Sequence, residues 1–147
     1  MKNVNNGPID VRTALYAAFV LRISLGVVFI AHALLKVLVF TLPGTAQFFS
    51  AHGFPGWSAY PVFVAELIGG LALVVGFHAR VASVALIPIM AGAFLVHWPN
   101  GWIFTAPNGG WEYVTFLLVT LIAQALLGDG AFALRHALSP RGTSGAI

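Results

Sequence analysis

No cysteine occurs anywhere in the 147 residues. That excludes a disulfide framework, a thiolate metal site and a cysteine nucleophile or persulfide on this chain, so any thiol chemistry would belong to a partner. Charge is almost as scarce. Only 7% of residues are charged, and the acids are Asp10, Glu66, Glu112 and Asp129 alone. So few charges beside 59% hydrophobic residues and a mean hydropathy of +0.92 cannot cover a soluble globule. The composition is that of an integral membrane protein in contact with lipid. Seven Lys and Arg give a net charge of +3, but they are scattered, and without a basic cluster nucleic acid is not an expected partner.

What the chain does have is long apolar runs, with room for about four spans of roughly 20 residues each and little left for a soluble head. The expected fold is an all-α membrane protein, a bundle of four transmembrane helices over about residues 15–40, 61–77, 81–98 and 112–128. Together they make a single domain over 13–130, between polar tails 1–12 and 131–147. Asp10 or Thr13 suits the first N-cap, and Pro43-Gly44 is expected to end the first helix. That first run is longer than a signal-peptide core and has no convincing cleavage site, so it is expected to be retained. Residues 45–60 are too short and too rich in Gly and Pro to span, and read as an interfacial turn of helix followed by an aromatic loop. Pro61 suits an early helical position, Pro88 sits inside the third span, and Pro99 stops it. Four spans put both termini on one side. Lys2, Arg12, Arg80, Arg135 and Arg141 all fall on that side and the two longer loops contain no Lys or Arg, which makes the termini cytoplasmic and the location the cytoplasmic (inner) membrane.

Ionisable groups inside apolar runs cost about 2.5–3.5 kcal/mol each on insertion scales, so they are the candidate site residues. The first span carries three. At about 100° per residue, His32 lies roughly 80° and Lys36 roughly 40° round the helix from Arg22, which places all three on one face. With the topology above, His32 and Lys36 join Glu66, His97 and Glu112 in an outer polar layer, with Arg22 deeper. Each of these has an alternative role. Lys36 and Arg22 are able to snorkel to the interface. Glu66 suits a proton acceptor or an ion pair, and Glu112 either catalysis or a favourable charge at a helix N-terminus. Ala65 and Gly69, like Glu66 and Gly70, place small residues four apart, which lets neighbouring backbones approach. Thr120 and Gln124 are expected to hydrogen-bond across helices. His52, His78, Arg80 and His136 read as loop residues. His32 and His97 suit hydrogen bonding to a quinone head group. As haem ligands they would need matched depth on facing helices, which their positions permit without showing. No metal motif is visible, since the Glu-x-x-His spacing of di-metal bundles is missing.

Taken in order, Leu21-Arg22 with Gly26, Ala31-His32 followed by Lys36, Gly53-Phe54-Pro55, Glu66-Leu67-Ile68-Gly69-Gly70, Arg80, His97-Trp98-Pro99-Asn100-Gly101-Trp102 and Gly109-Gly110-Trp111-Glu112-Tyr113 resemble the pattern of the DoxX family. The resemblance covers about residues 15–130. It implies a compact four-helix bacterial or archaeal membrane protein. The family is named for subunits associated with a terminal quinol oxidase. Related members form the membrane part of a thiosulfate:quinone oxidoreductase, and others are linked to oxidative-stress complexes with soluble thiol enzymes. Arg22, His32, Lys36, Glu66, His97 and Glu112 match recurring polar positions, while Ala33 stands where family members often have Gly.

The expectation is therefore a quinone-linked membrane oxidoreductase subunit. Glu66, His32, His97 and Glu112 would be catalytic, and Lys36, Arg22 and His32 would bind the cofactor or an anionic donor such as thiosulfate. Alternatives are a non-catalytic accessory subunit of a larger membrane redox complex and a small-solute transporter. Expected partners are lipid, such a complex or a soluble electron-donor protein, and a second copy of the chain.

Overall fold

The computed structural model describes residues 10–135. Lys2, His136 and Arg141, with most of both expected tails, lie outside the described residues. Within them the chain is all helical, with five α-helices: α1 (Val11–Leu38), α2 (Leu42–Ala51), α3 (Ala59–Val75), α4 (Ala79–His97) and α5 (Glu112–Leu127). Two 3₁₀ turns, Gly56–Ser58 and Trp98–Asn100, precede α3 and follow α4. Three of these segments, Val11–Leu38, Gly56–Val75 and Ala79–Asn100, are long and apolar enough to cross a membrane. The 16-residue α5 is apolar but shorter, about 24 Å at 1.5 Å per residue. The protein is a multi-pass helical membrane protein.

Local chemistry explains most boundaries. The Asp10 carboxylate accepts a hydrogen bond from the Arg12 amide at 2.8 Å, capping α1. The first helix therefore starts at Val11, earlier than expected. It also ends earlier, and the reason differs from the one the sequence suggested. Pro43-Gly44 does not terminate α1; it opens α2. Thr41 adopts φ +61°, a conformation unusual for a β-branched residue. Its hydroxyl accepts from the Gly44 amide at 3.2 Å, and Pro43 falls in the first turn, where no amide donor is needed. Helix α3 closes at Gly76 (φ +72°). There the Phe77 amide bonds to Ala72 O at 2.9 Å and the Gly76 amide to Leu73 O at 3.3 Å, the Schellman pattern. Asp129 Oδ1 accepts from the Ala79 amide at 2.7 Å and so caps α4 from across the fold. Arg80, expected in a loop, lies in the first turn of α4 and donates to Leu126 O near the end of α5.

Helix α1 packs against α3, α3 against α4, α4 against α5, and α5 back against α1. Their shared core contains Leu25, Phe29, Leu73, Leu86, Met90, Leu117 and Leu121. Outward faces carry Val20, Val27, Ile68, Val84, Phe116 and Leu126, all exposed. An apolar outer surface over a packed interior is what lipid contact requires.

The tightest approach is between α1 and α3. A Cβ on Gly26 would lie 2.7 Å from Gly70 O, and one on Gly70 would lie 2.9 Å from Gly26 O and 3.0 Å from the Ile30 amide nitrogen. These obstacles are backbone, so relief requires the helices to separate. Gly69 faces the other way, against Leu86 of α4. In contrast, Thr120 and Gln124 do not bridge helices. The Thr120 hydroxyl donates to Phe116 O and Leu117 O, and Gln124 Nε2 to Gly128 O, within α5 and its cap. A Ser or Thr hydroxyl in a helix has its own carbonyls three and four residues back within reach and takes them first.

Gly70→Ala should destabilise the protein by about 1–3 kcal/mol, the usual cost of overpacking. Gly92→Ala, where the nearest atoms to an added Cβ lie 3.9 Å away, should be neutral or stabilising. Thermal unfolding of the two variants in detergent checks this, and equal melting temperatures would contradict the close contact.

Candidate functional site

One cavity of about 830 Å³ opens at the end of the helices where α1 and α4 finish and α3 and α5 begin. Its walls are mainly apolar and aromatic, with Phe29, Phe48, Phe49, Phe54, Met90 and Phe104 among them. Thr45 of α2 and Ser58 of the turn before α3 reach it, and the ionisable side chains that do so come from four helices. Helix α1 supplies His32 and Lys36, α3 supplies Glu66, α4 supplies His97 and α5 supplies Tyr113.

Lys36 Nζ donates to Glu66 Oε2 at 2.7 Å, and the two side chains retain only 15% and 7% exposure. The pairing follows from helix geometry. In antiparallel α1 and α3 each side chain leans toward its own N-terminus, so Lys36 reaches back and Glu66 reaches out until they meet. Pairing is what makes two buried charges tolerable, since removing either partner leaves the other unmatched at a cost of about 3–5 kcal/mol.

His32 is held by its own helix, its Nδ1 lying 2.8 Å from Val28 O. Its ring lies nearly parallel to that of Tyr113, with centroids 6.4 Å apart and planes at 25°. His97, the last residue of α4, is anchored through Nδ1 to Gly109 O at 3.0 Å. Asn100 Nδ2 donates to the same carbonyl at 2.9 Å. The 101–111 loop is thus folded onto the end of α4. Trp111 stacks near Trp98 and meets Trp102 edge-on, with centroids at 5.1 and 4.4 Å.

Of the six residues picked out by charge and position, four (His32, Lys36, Glu66 and His97) line the cavity. Glu112 does not. Its Oε1 accepts from the Phe104 amide at 2.8 Å, so it secures the loop and places a carboxylate in the first turn of α5. Arg22 lies at the opposite end of the helices, 1% exposed. Its Nη1 donates to Leu73 O and Val74 O at 2.9 and 2.7 Å, and its Nη2 to Ala131 O and Phe132 O at 2.9 and 3.1 Å. The guanidinium also sits over the Phe19 ring at 5.1 Å. It satisfies the terminal carbonyls of α3, which no helical amide reaches, and fastens the segment after α5. Residues 131–135, expected at the start of a free tail, are docked. The Ala131 amide bonds to Leu15 O and the Arg135 amide to Gly76 O.

Tyr113 and the α2 phenylalanines were not legible as site residues. Tyr113 stands beside Glu112 in a helix start where the charged neighbour drew attention, and only the ring geometry with His32 singles it out. Among the described residues, no group of three or more His, Asp or Glu gathers as a metal site.

The DoxX family model matches residues 17–98, more than half of the chain, and takes in α1 to α4. The chain belongs to the DoxX family. It is also 34% identical over 115 residues to the Bacillus subtilis (strain 168) protein named "Putative oxidoreductase CatD", covering 78% of this chain and 81% of that relative. No solved structure matches the chain at a significant level.

Arg22→Lys keeps the charge but gives up the planar two-pronged donor set that serves four carbonyls. It should lower the melting temperature by several degrees, on the order of 2 kcal/mol for weakened charge-assisted bonds, and leave ligand affinity in the cavity at the far end unchanged. Melting curves together with a cavity-ligand titration separate the two, and a loss of affinity at unchanged stability would contradict this placement.

Proposed function

We propose that this DoxX-family protein is the quinone-binding subunit of a membrane oxidoreductase, with the cavity between α1, α3, α4 and α5 as its site. The observation that carries the proposal is the character of that cavity. About 830 Å³ of mainly apolar space, partly walled by phenylalanine, contains His32, His97, Tyr113 and the paired Lys36 and Glu66. Small-molecule sites have this form, roughly 300–1,000 Å³ of apolar wall with a few polar groups that orient the ligand. The name of the Bacillus subtilis relative supports the oxidoreductase class.

A quinone fits these residues. Its flat ring suits the phenylalanine and tyrosine walls, and its head group, as quinone or quinol, suits a cavity whose lining includes His32 and His97. When bound it supplies two-electron, two-proton redox chemistry, while the protein binds, orients and tunes it. Glu66 is the group suited to take up or release a proton, and Lys36 holds its carboxylate in position. Among the described residues, the only Lys or Arg lining the cavity is Lys36, which is committed to Glu66, and Arg22 is committed to carbonyls at the other end. An uncharged ligand therefore suits the cavity better than an anionic donor such as thiosulfate.

In this proposal α5 makes a fourth crossing, its short length accommodated by interfacial Trp111 and by local adjustment of the bilayer. Four crossings put Arg12, Arg80 and Arg135 on one side. The positive-inside rule makes that side the cytoplasm and the membrane the cytoplasmic one, so the cavity opens outward.

Protein extracted from native membranes in mild detergent should carry quinone that solvent extraction recovers. In such membranes Glu66→Gln and His32→Ala should each lower quinone-linked electron transfer at least about tenfold, equivalent to about 1.4 kcal/mol. Turnover is taken per assembled protein, measured by size exclusion, because Glu66→Gln also leaves Lys36 unmatched and lowers stability. Wild-type turnover in both variants would overturn the site assignment.

A further inference from the structure

We infer that the cavity favours a ligand whose polar end donates hydrogen bonds, and so takes the quinol in preference to the quinone; this rests on the quinone-linked function proposed above. The observation is the tautomer of two histidines. Nδ1 of His32 lies 2.8 Å from Val28 O and Nδ1 of His97 lies 3.0 Å from Gly109 O. A carbonyl oxygen only accepts, so in both rings Nδ1 carries the proton. Each neutral imidazole is left with an unprotonated Nε2 whose lone pair accepts. Neither Nε2 has a hydrogen-bond partner among the described residues, and both rings line the cavity.

The fixing groups are backbone carbonyls, one in the helix that bears His32 and one in a loop secured by Asn100 as well. Neither ring is able to flip its donor to Nε2 without abandoning that bond. Glu66 adds a further acceptor, because Oε2 accepts a hydrogen bond from Lys36 Nζ and Oε1 has no donor among the described residues. On the donor side stand the Tyr113 hydroxyl and the remaining protons of Lys36, whose ammonium is drawn to Glu66. The histidine positions thus present acceptors.

A quinone carbonyl facing such a nitrogen sets lone pair against lone pair. A quinol hydroxyl facing it donates. Sites built around a hydroxyl discriminate strongly against the analogue that lacks it, because their own polar groups are then left unpaired. Tighter binding of the reduced form also raises the potential of the bound two-electron couple, by about 30 mV for each tenfold of preference.

The test is equilibrium binding to the full chain in lipid nanodiscs, under anaerobic conditions. The probes are a short-tailed benzoquinone, its quinol and the dimethyl ether of that quinol. The quinol should bind at least tenfold tighter than the quinone, and the ether, which cannot donate, no tighter than the quinone. His32→Phe keeps a flat ring beside Tyr113 and removes one acceptor. In that variant the preference should narrow severalfold through loss of quinol affinity, with quinone affinity held within about twofold. Equal affinities for quinol and quinone in the wild-type protein, or an unchanged preference in His32→Phe, would overturn this inference and leave quinone binding standing. Binding of neither form would overturn it together with the proposed function.

Discussion

Everything else in the fold is registered against the contact between Gly26 of α1 and Gly70 of α3. Two helices that touch backbone to backbone cannot slide, because a shift of one residue would bring a side chain into a space that admits none. Fixing that point fixes the antiparallel register along the full length of both helices. Arg22, one turn before Gly26, falls level with the last turn of α3, and Lys36 on the far side falls within reach of Glu66. In lipid, where hydrophobic burial gives no net pull between helices, close packing of this kind carries the association.

The three basic groups of α1 show how one helix solves a single cost in different ways. Arg22 is buried at one end, its charge spread over four backbone carbonyls at the end of α3 and after α5. Lys36 at the other end is neutralised by a carboxylate at 2.7 Å. His32 has one ring nitrogen satisfied by a carbonyl of its own helix. Among the described residues, these arrangements leave the cavity with no uncommitted Lys or Arg. That is why an aromatic-walled space able to take an uncharged ring lies beside a lysine and a glutamate.

Much of this was legible in the sequence, and the misreadings have physical causes. His32, Lys36, Glu66 and His97 were found because ionisable groups in apolar runs must face something other than lipid. Helical periodicity placed Arg22 on their face correctly, but a face says nothing about depth. Arg22 is ten residues from His32, about 15 Å along the axis. Pro43-Gly44 reads as a stop because neither residue continues a helix already under way; here Thr41 supplies a cap, and the same residues become a start. Glu112 looked like a member of the polar layer, yet its carboxylate is used by a loop amide eight residues back. Local partners of that kind depend on how a loop closes, which no periodicity records.

The sequence by itself determined the class of molecule. An apolar chain with so few charges has to be a helical membrane protein, because only internally hydrogen-bonded helices satisfy the backbone in hydrocarbon without forming a barrel. It also determined that Gly69 and Gly70 were available for close packing and that a few polar side chains had to be sheltered. What only the tertiary structure decided was which of them share a space, and which of their atoms are already engaged. Whether Arg22 meets a pocket or a set of helix-end carbonyls depends on where α3 ends in space. Whether a histidine offers a donor or an acceptor depends on which carbonyl the fold brings to its other nitrogen. Both are matters of a few ångströms between residues distant in sequence, and only packing sets such distances.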